Sequence, residues 1–94
     1  MARDGRGGGA LDVEVVARVL LFGRLSDVAG WRSRELDADS IAGLTALLSD
    51  EDADLAEALA RPGVQVALDQ EIVRGDAVLT ARSEVAYLPP MSGG

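Results

Sequence analysis

The sequence contains no cysteine, no histidine and no lysine; all nine of its basic residues are arginine. Together these absences close most routes of protein chemistry. The side chains offer no thiolate or amine nucleophile, no imidazole base, no Schiff-base lysine and no zinc site of the Cys/His type. Serine, threonine, tyrosine, carboxylates and the chain termini are what remain. Without cysteine the fold needs no disulfide and calls for no oxidising compartment.

Long apolar runs are missing as well. The longest, Val13 to Phe22, is interrupted by Glu14 and Arg18 and is too short to span a bilayer as a helix. Met1 to Leu11 carries Arg3 and Arg6 but no apolar stretch of the kind a signal peptide needs. A cytoplasmic protein without a membrane partner is expected. Excess positive charge is absent too: the net charge is −7, so no clustered cations are available to displace counterions from a phosphate backbone, and a nucleic-acid partner is not expected. A chain of 94 residues fits one domain and leaves little volume for an enclosed substrate pocket.

What is present reads as alternating strands around a central pair of helices. Residues Met1 to Asp12, rich in glycine and scattered charge, lack apolar periodicity and read as a flexible leader. Val13, Val15, Ala17, Val19 and Leu21 then alternate as a first strand, closed by Gly23. Leu25 to Ala29 forms one helical turn ended by Gly30, and Trp31 to Leu36 a second strand. Ser40 caps a helix starting at Ile41, with Ile41, Leu44 and Leu48 on its apolar stripe and Leu47 widening it.

Asp50, Glu51, Asp52 and Asp54 precede the Leu55/Leu59 pair and are expected in the first turn of another helix, where the dipole favours acids; Pro62-Gly63 stops it. Val64, Val66 and Leu68 alternate as a strand, Asp69-Gln70 turns, Ile72-Val73 returns, and Arg74-Gly75-Asp76 turns again. Glu84 to Leu88 is the last strand. The order β-β-α-(α)-β-β-β, helices grouped centrally, predicts an α+β fold in which a mixed sheet covers one helical layer.

Three motifs fail on inspection. Asp50, Asp52 and Asp54 match the first ligands of an EF-hand loop, but Leu55 stands where glycine is required and Arg61 where the bidentate glutamate is required, so no metal site is expected. Gly7 to Gly9 follows no strand and precedes no Gly-Lys-Ser/Thr. Arg74-Gly75-Asp76 is a turn. Trp31, Phe22 and Tyr87 are expected to be packing residues rather than exposed partner contacts.

The C-terminus is different. At average glycine usage a chain ends in Gly-Gly by chance about one time in two hundred, and the tail that carries this pair begins directly after an apolar strand. Pro89 and Pro90 stiffen the base of the tail in extended geometry, so that Met91, Ser92, Gly93 and Gly94 are expected to project from the body. Glycine has no Cβ, and another protein's backbone can close around such a segment and admit it through a narrow channel. Only the last carboxylate would then reach the chemistry. A carboxylate must be activated before it can react, most simply as an acyl-adenylate formed by a separate ATP-using enzyme.

Val66-Ala67-Leu68-Asp69-Gln70-Glu71, Leu79 and the run Glu84 to Gly94 together resemble the small subunit of molybdopterin synthase, the molybdopterin sulfur carrier. Val19 to Leu25 adds to the likeness, which spans Val16 to Gly94. The specific part is the aromatic-Leu-Pro-Pro-x-Ser-Gly-Gly ending, Tyr87 to Gly94. Asp69 departs from the asparagine of many members, and Ala81-Arg82-Ser83 replaces an Asp-Gly-Asp-like turn.

The resemblance implies a β-grasp, ubiquitin-like domain over residues 13–88, with 1–12 as leader and 89–94 as tail. It implies that Gly94 is adenylated by an ATP-dependent activating enzyme and converted to a thiocarboxylate. Pro89, Pro90, Met91, Ser92 and Gly93 would then thread the tail into a large catalytic subunit, where sulfur passes to cyclic pyranopterin monophosphate. In that scheme the chain binds no cofactor and is no enzyme on its own; it donates sulfur within a two-subunit sulfurtransferase. Three alternatives stay open from the sequence: a carrier for thiamin thiazole synthesis, a ubiquitin-like modifier of lysines, and an interaction module with an inert tail.

Overall fold

The structure, a computed structural model, describes residues 15–90. The leader Met1 to Asp12, the first two residues of the expected first strand and the tail Met91 to Gly94 lie outside the described residues. Eight elements follow one another: β1 (Val16–Leu21), α1 (Arg24–Ala29), β2 (Ser33–Asp37), α2 (Ile41–Glu51), α3 (Ala53–Leu59), β3 (Gln65–Leu68), β4 (Glu71–Val73) and β5 (Glu84–Leu88). The five strands form one sheet in the order β2-β1-β5-β3-β4. The central pair β1·β5 is parallel and every other pair antiparallel. This is the mixed sheet and helical layer of the β-grasp fold, as the element order predicts.

Strict alternation builds the core. Ala17, Val19 and Leu21 of β1 and Val85 and Tyr87 of β5 are buried toward the helices, meeting Ile41, Leu44 and Leu48 of α2, Leu55 and Ala58 of α3, and Leu25 of α1. Full burial of a leucine such as Leu44 or Leu48 contributes about 1.5–3 kcal/mol. Within that core the Tyr87 hydroxyl meets Thr45 Oγ1 at 2.7 Å, so the polar end of the ring is satisfied at the point where the β5 strand crosses α2.

Local signals set the element ends. Ser40 Oγ accepts from Gly43 N at 3.0 Å, capping α2 as its position predicts. Gly30, at φ 85°, ends α1 with its N–H on Ser26 O. Asp69 and Gln70 take positive φ, 50° and 73°, at the tip of the β3–β4 hairpin. The Asp69 side chain then accepts from Glu84 N at 2.9 Å, pinning the hairpin to β5. The turn before β5 closes on itself: buried Ser83 accepts from Thr80 N at 2.8 Å.

Six expectations are corrected. Asp50 and Glu51 are not in a first helical turn but in the last turn of α2, because nothing between Leu48 and Asp52 stops that helix. Glu51 is held there by Arg34, whose guanidinium donates to both of its carboxylate oxygens at 2.7 and 3.1 Å. Asp52 is the break between α2 and α3, its side chain accepting from Asp54 N and Leu55 N.

Leu47 does not widen the buried stripe; it faces solvent, as does Phe22. The second strand begins at Ser33 rather than Trp31, which lies half-buried against the core with Arg34 stacked 5.1 Å from its ring centroid. Val64 precedes β3. Finally, the helices are not all central: α1 is a full helix between β1 and β2, and it packs against α3.

Candidate functional site at the base of the tail

Because β1 and β5 run parallel, their C-terminal ends share one edge of the domain. Phe22 N donates to Tyr87 O at 3.2 Å across that edge, so the chain turns into α1 beside the point where β5 turns into the tail. The antiparallel pairing of Gln65 with Leu88 brings the Pro62-Gly63 turn to the same place. The base of the tail is thus ringed by Phe22–Arg24 on one side and Arg61–Gln65 on the other.

Two glycines seat the two prolines. A β-carbon at Gly23 would stand 3.1 Å from Pro89 Cγ, and one at Gly63 would stand 3.0 Å from Pro90 Cβ. Both glycines also need positive φ, 56° and 91°, a conformation that other residues adopt only under strain. The prolines are half-buried against this seat, which fixes where the tail departs. Arg24 and Arg61, both exposed, line an open recess of about 450 Å³ with Pro89 and Pro90.

The face of the sheet turned away from the helices carries a cross-strand row: Ser33, Leu20, Ala86, Ala67 and Ile72 are successive partners. Their neighbours Val19, Val85 and Val66 point the other way, into or against the core. Ile72 is 48% and Phe22 45% exposed, while Ala67 and Ala86 in the middle of the row are buried.

Of the residues expected to form the site, Pro89 and Pro90 are placed at the exit; Met91, Ser92, Gly93 and Gly94 lie outside the described residues. In the sequence Gly23 and Gly63 stand only as element stops, and nothing there assigns Arg24 and Arg61 a role. A signal was available for the glycines, each standing where the chain reverses after an element, but not for their proline partners. Among the described residues no group of three potential ligands could hold a metal ion. No helix among them is long and apolar enough to cross a membrane.

Comparison with known proteins agrees with this arrangement. The ThiS family profile matches residues 19–94, which takes in the sheet, the helices and the tail. No curated protein matches the sequence. Among solved structures, small archaeal modifier protein 1 of Methanosarcina acetivorans superposes with a TM-score of 0.78 at 19% identity, covering 88% of this chain and 100% of that one. Small archaeal modifier protein 1 of Haloferax volcanii gives 0.73 at 24% identity, covering 84% and 99%. A Pyrococcus furiosus protein described as a candidate molybdopterin converting factor subunit 1 gives 0.70 at 22% identity, covering 82% and 99%. At such identities the likeness speaks for the fold alone.

A β-grasp sheet on a chain that ends in Gly-Gly is the pattern of the ubiquitin-like carriers and modifiers. Within that class the chain belongs to the ThiS family.

Proposed function

We propose that this carrier is the sulfur-donating small subunit of a molybdopterin synthase. The observation that carries the reading is the Tyr87-Leu88-Pro89-Pro90-Met91-Ser92-Gly93-Gly94 ending, which resembles that of the molybdopterin carriers, on a ThiS-family domain. In this reading an adenylating enzyme joins the Gly94 carboxylate to the α-phosphate of ATP, releasing pyrophosphate. A sulfur nucleophile then displaces AMP and leaves a thiocarboxylate. The large subunit takes up the tail and transfers the sulfur to cyclic pyranopterin monophosphate. Catalysis lies with the partners, in keeping with a chain that has no Lys, His or Cys.

The geometry supports delivery rather than catalysis. Seated on Gly23 and Gly63, the prolines give the tail a fixed origin, which reduces the freedom lost on insertion. Phe22, exposed beside that origin, and Ile72, exposed on β4, offer a partner apolar contacts.

Intact mass after incubation with the cognate adenylating enzyme, ATP and a sulfur source tests the reading. Replacement of one terminal oxygen by sulfur adds about 16 Da, and the product is then expected to support dithiolene formation by the large subunit. An unchanged mass under conditions that load a control carrier would overturn the proposal. Higher-mass conjugates to lysines of other proteins, without sulfur transfer, would instead favour a protein modifier.

A further inference from the structure

Two of the nine arginines converge on the base of the tail. The chain is strongly acidic. Arg24 opens α1, the end of a helix at which the backbone dipole disfavours a cation. Arg61 lies just past Ala60, the C-cap of α3, the end of a helix at which the dipole favours a cation. They come from segments far apart in sequence, yet meet across Pro89 and Pro90 in one recess. On their far side the same two arginines border a second recess with Val28, Asp54, Glu57 and Ala58. Among the described residues neither is in an ion pair, in contrast to Arg34, which is fully engaged by Glu51.

We propose that Arg24 and Arg61 form an acid-recognising clamp at the base of the tail, docking carboxylate side chains of the adenylating enzyme beside the point where it takes up the tail. The proposal rests on the carrier reading above and names the chemistry of the partner's rim. Guanidinium groups suit that task because their fixed fork of donors pairs with carboxylates in two-pronged geometry. Reach defines what the clamp can do. Four residues separate Pro90 from the end of the chain, and at most about 3.3–3.6 Å per residue puts the terminal carboxylate up to roughly 14 Å away. The clamp therefore acts on docking and not on the adenylation step.

The test is ATP–pyrophosphate exchange by the cognate adenylating enzyme with wild-type carrier, Arg24→Glu/Arg61→Glu and Arg24→Gln/Arg61→Gln. The charge-reversed variant is expected to raise KM for the carrier about tenfold or more, with kcat within about twofold. The wild-type KM should rise between about 0.05 and 0.3 M salt, and this dependence should flatten in the glutamine variant. Both positions are exposed, so unchanged thermal unfolding is expected; if the glutamate variant melts lower, the salt response of the glutamine variant decides. A wild-type KM and salt response in both variants would overturn the clamp while leaving the carrier reading intact. No exchange with wild type, under conditions active on a control carrier, would overturn both.

Discussion

Gly63 and Pro90 are fitted to one another: a β-carbon on Gly63 would come within 3.0 Å of the Cβ of Pro90, at a backbone φ of 91°. Gly63→Ala meets two penalties, conformational strain and a clash with a rigid ring. A loss of about 1–3 kcal/mol is expected in urea unfolding, together with shifted amide resonances at the end of β5. Wild-type stability in this variant would show that the tail base is not seated on the turn.

The contact between Tyr87 and Thr45 gives a second prediction. Tyr87→Phe removes one partner of a part-buried hydrogen bond and should cost about 0.5–1.5 kcal/mol. Burial raises the Tyr87 phenol above its ordinary value of 10.0, outweighing the hydrogen bond from Thr45, which lowers it. The folded state therefore ionises at higher pH than the unfolded chain. Its stabilising contribution is complete below pH 10 and declines as pH rises through the folded pKa. Urea midpoints measured from neutral pH to above pH 10 should fall in the wild type and fall less in Tyr87→Phe.

Asp52 divides α2 from α3 by capping the second helix. Asp52→Ala leaves Asp54 N and Leu55 N without that acceptor and should destabilise by about 0.5–2 kcal/mol. Asp52→Asn keeps a capping oxygen and should retain most of the stability. Equal losses in the two variants would point to the charge rather than the cap.

Gly93→Val adds bulk beyond β5, and its melting temperature should match wild type within about 1 °C. Sulfur delivery to the large subunit should nevertheless be lost, because a channel closed around glycine has no room for the side chain. Delivery at the wild-type rate, followed by assay of the dithiolene product, would remove the channel from the mechanism.

On the outer sheet face, Ile72→Ala with Phe22→Ala removes exposed apolar groups. Stability should change by less than about 1 kcal/mol, since both side chains are half in water. Affinity for the large subunit, read by calorimetry, should weaken about tenfold or more. Undiminished affinity would place the interface elsewhere.

The parts of the fold legible in the sequence are those carried by local pattern. Alternation marks β1, and Ser40 before Ile41 marks the start of α2. Asp69-Gln70 marks a hairpin because the residues between two apolar stretches must turn. Misreadings fall where pattern is silent about neighbours. Asp50 and Glu51 suit a helix start by charge alone, but α2 continues through them and Arg34, from another strand, neutralises Glu51. Leu47 and Phe22 are apolar in composition, yet no element covers them.

By itself the sequence determined which side-chain chemistry is closed to the chain, through the absence of Cys, His and Lys, and it set a Gly-Gly terminus a few residues after an apolar strand. Tertiary structure decided where that terminus sets out from. The parallel pairing of β1 with β5 and the antiparallel pairing of β3 with β5 bring Gly23, Arg24, Arg61 and Gly63 around Pro89 and Pro90. Such a ring is not encoded in any local stretch, because it exists only once strands distant in the chain have hydrogen-bonded in register.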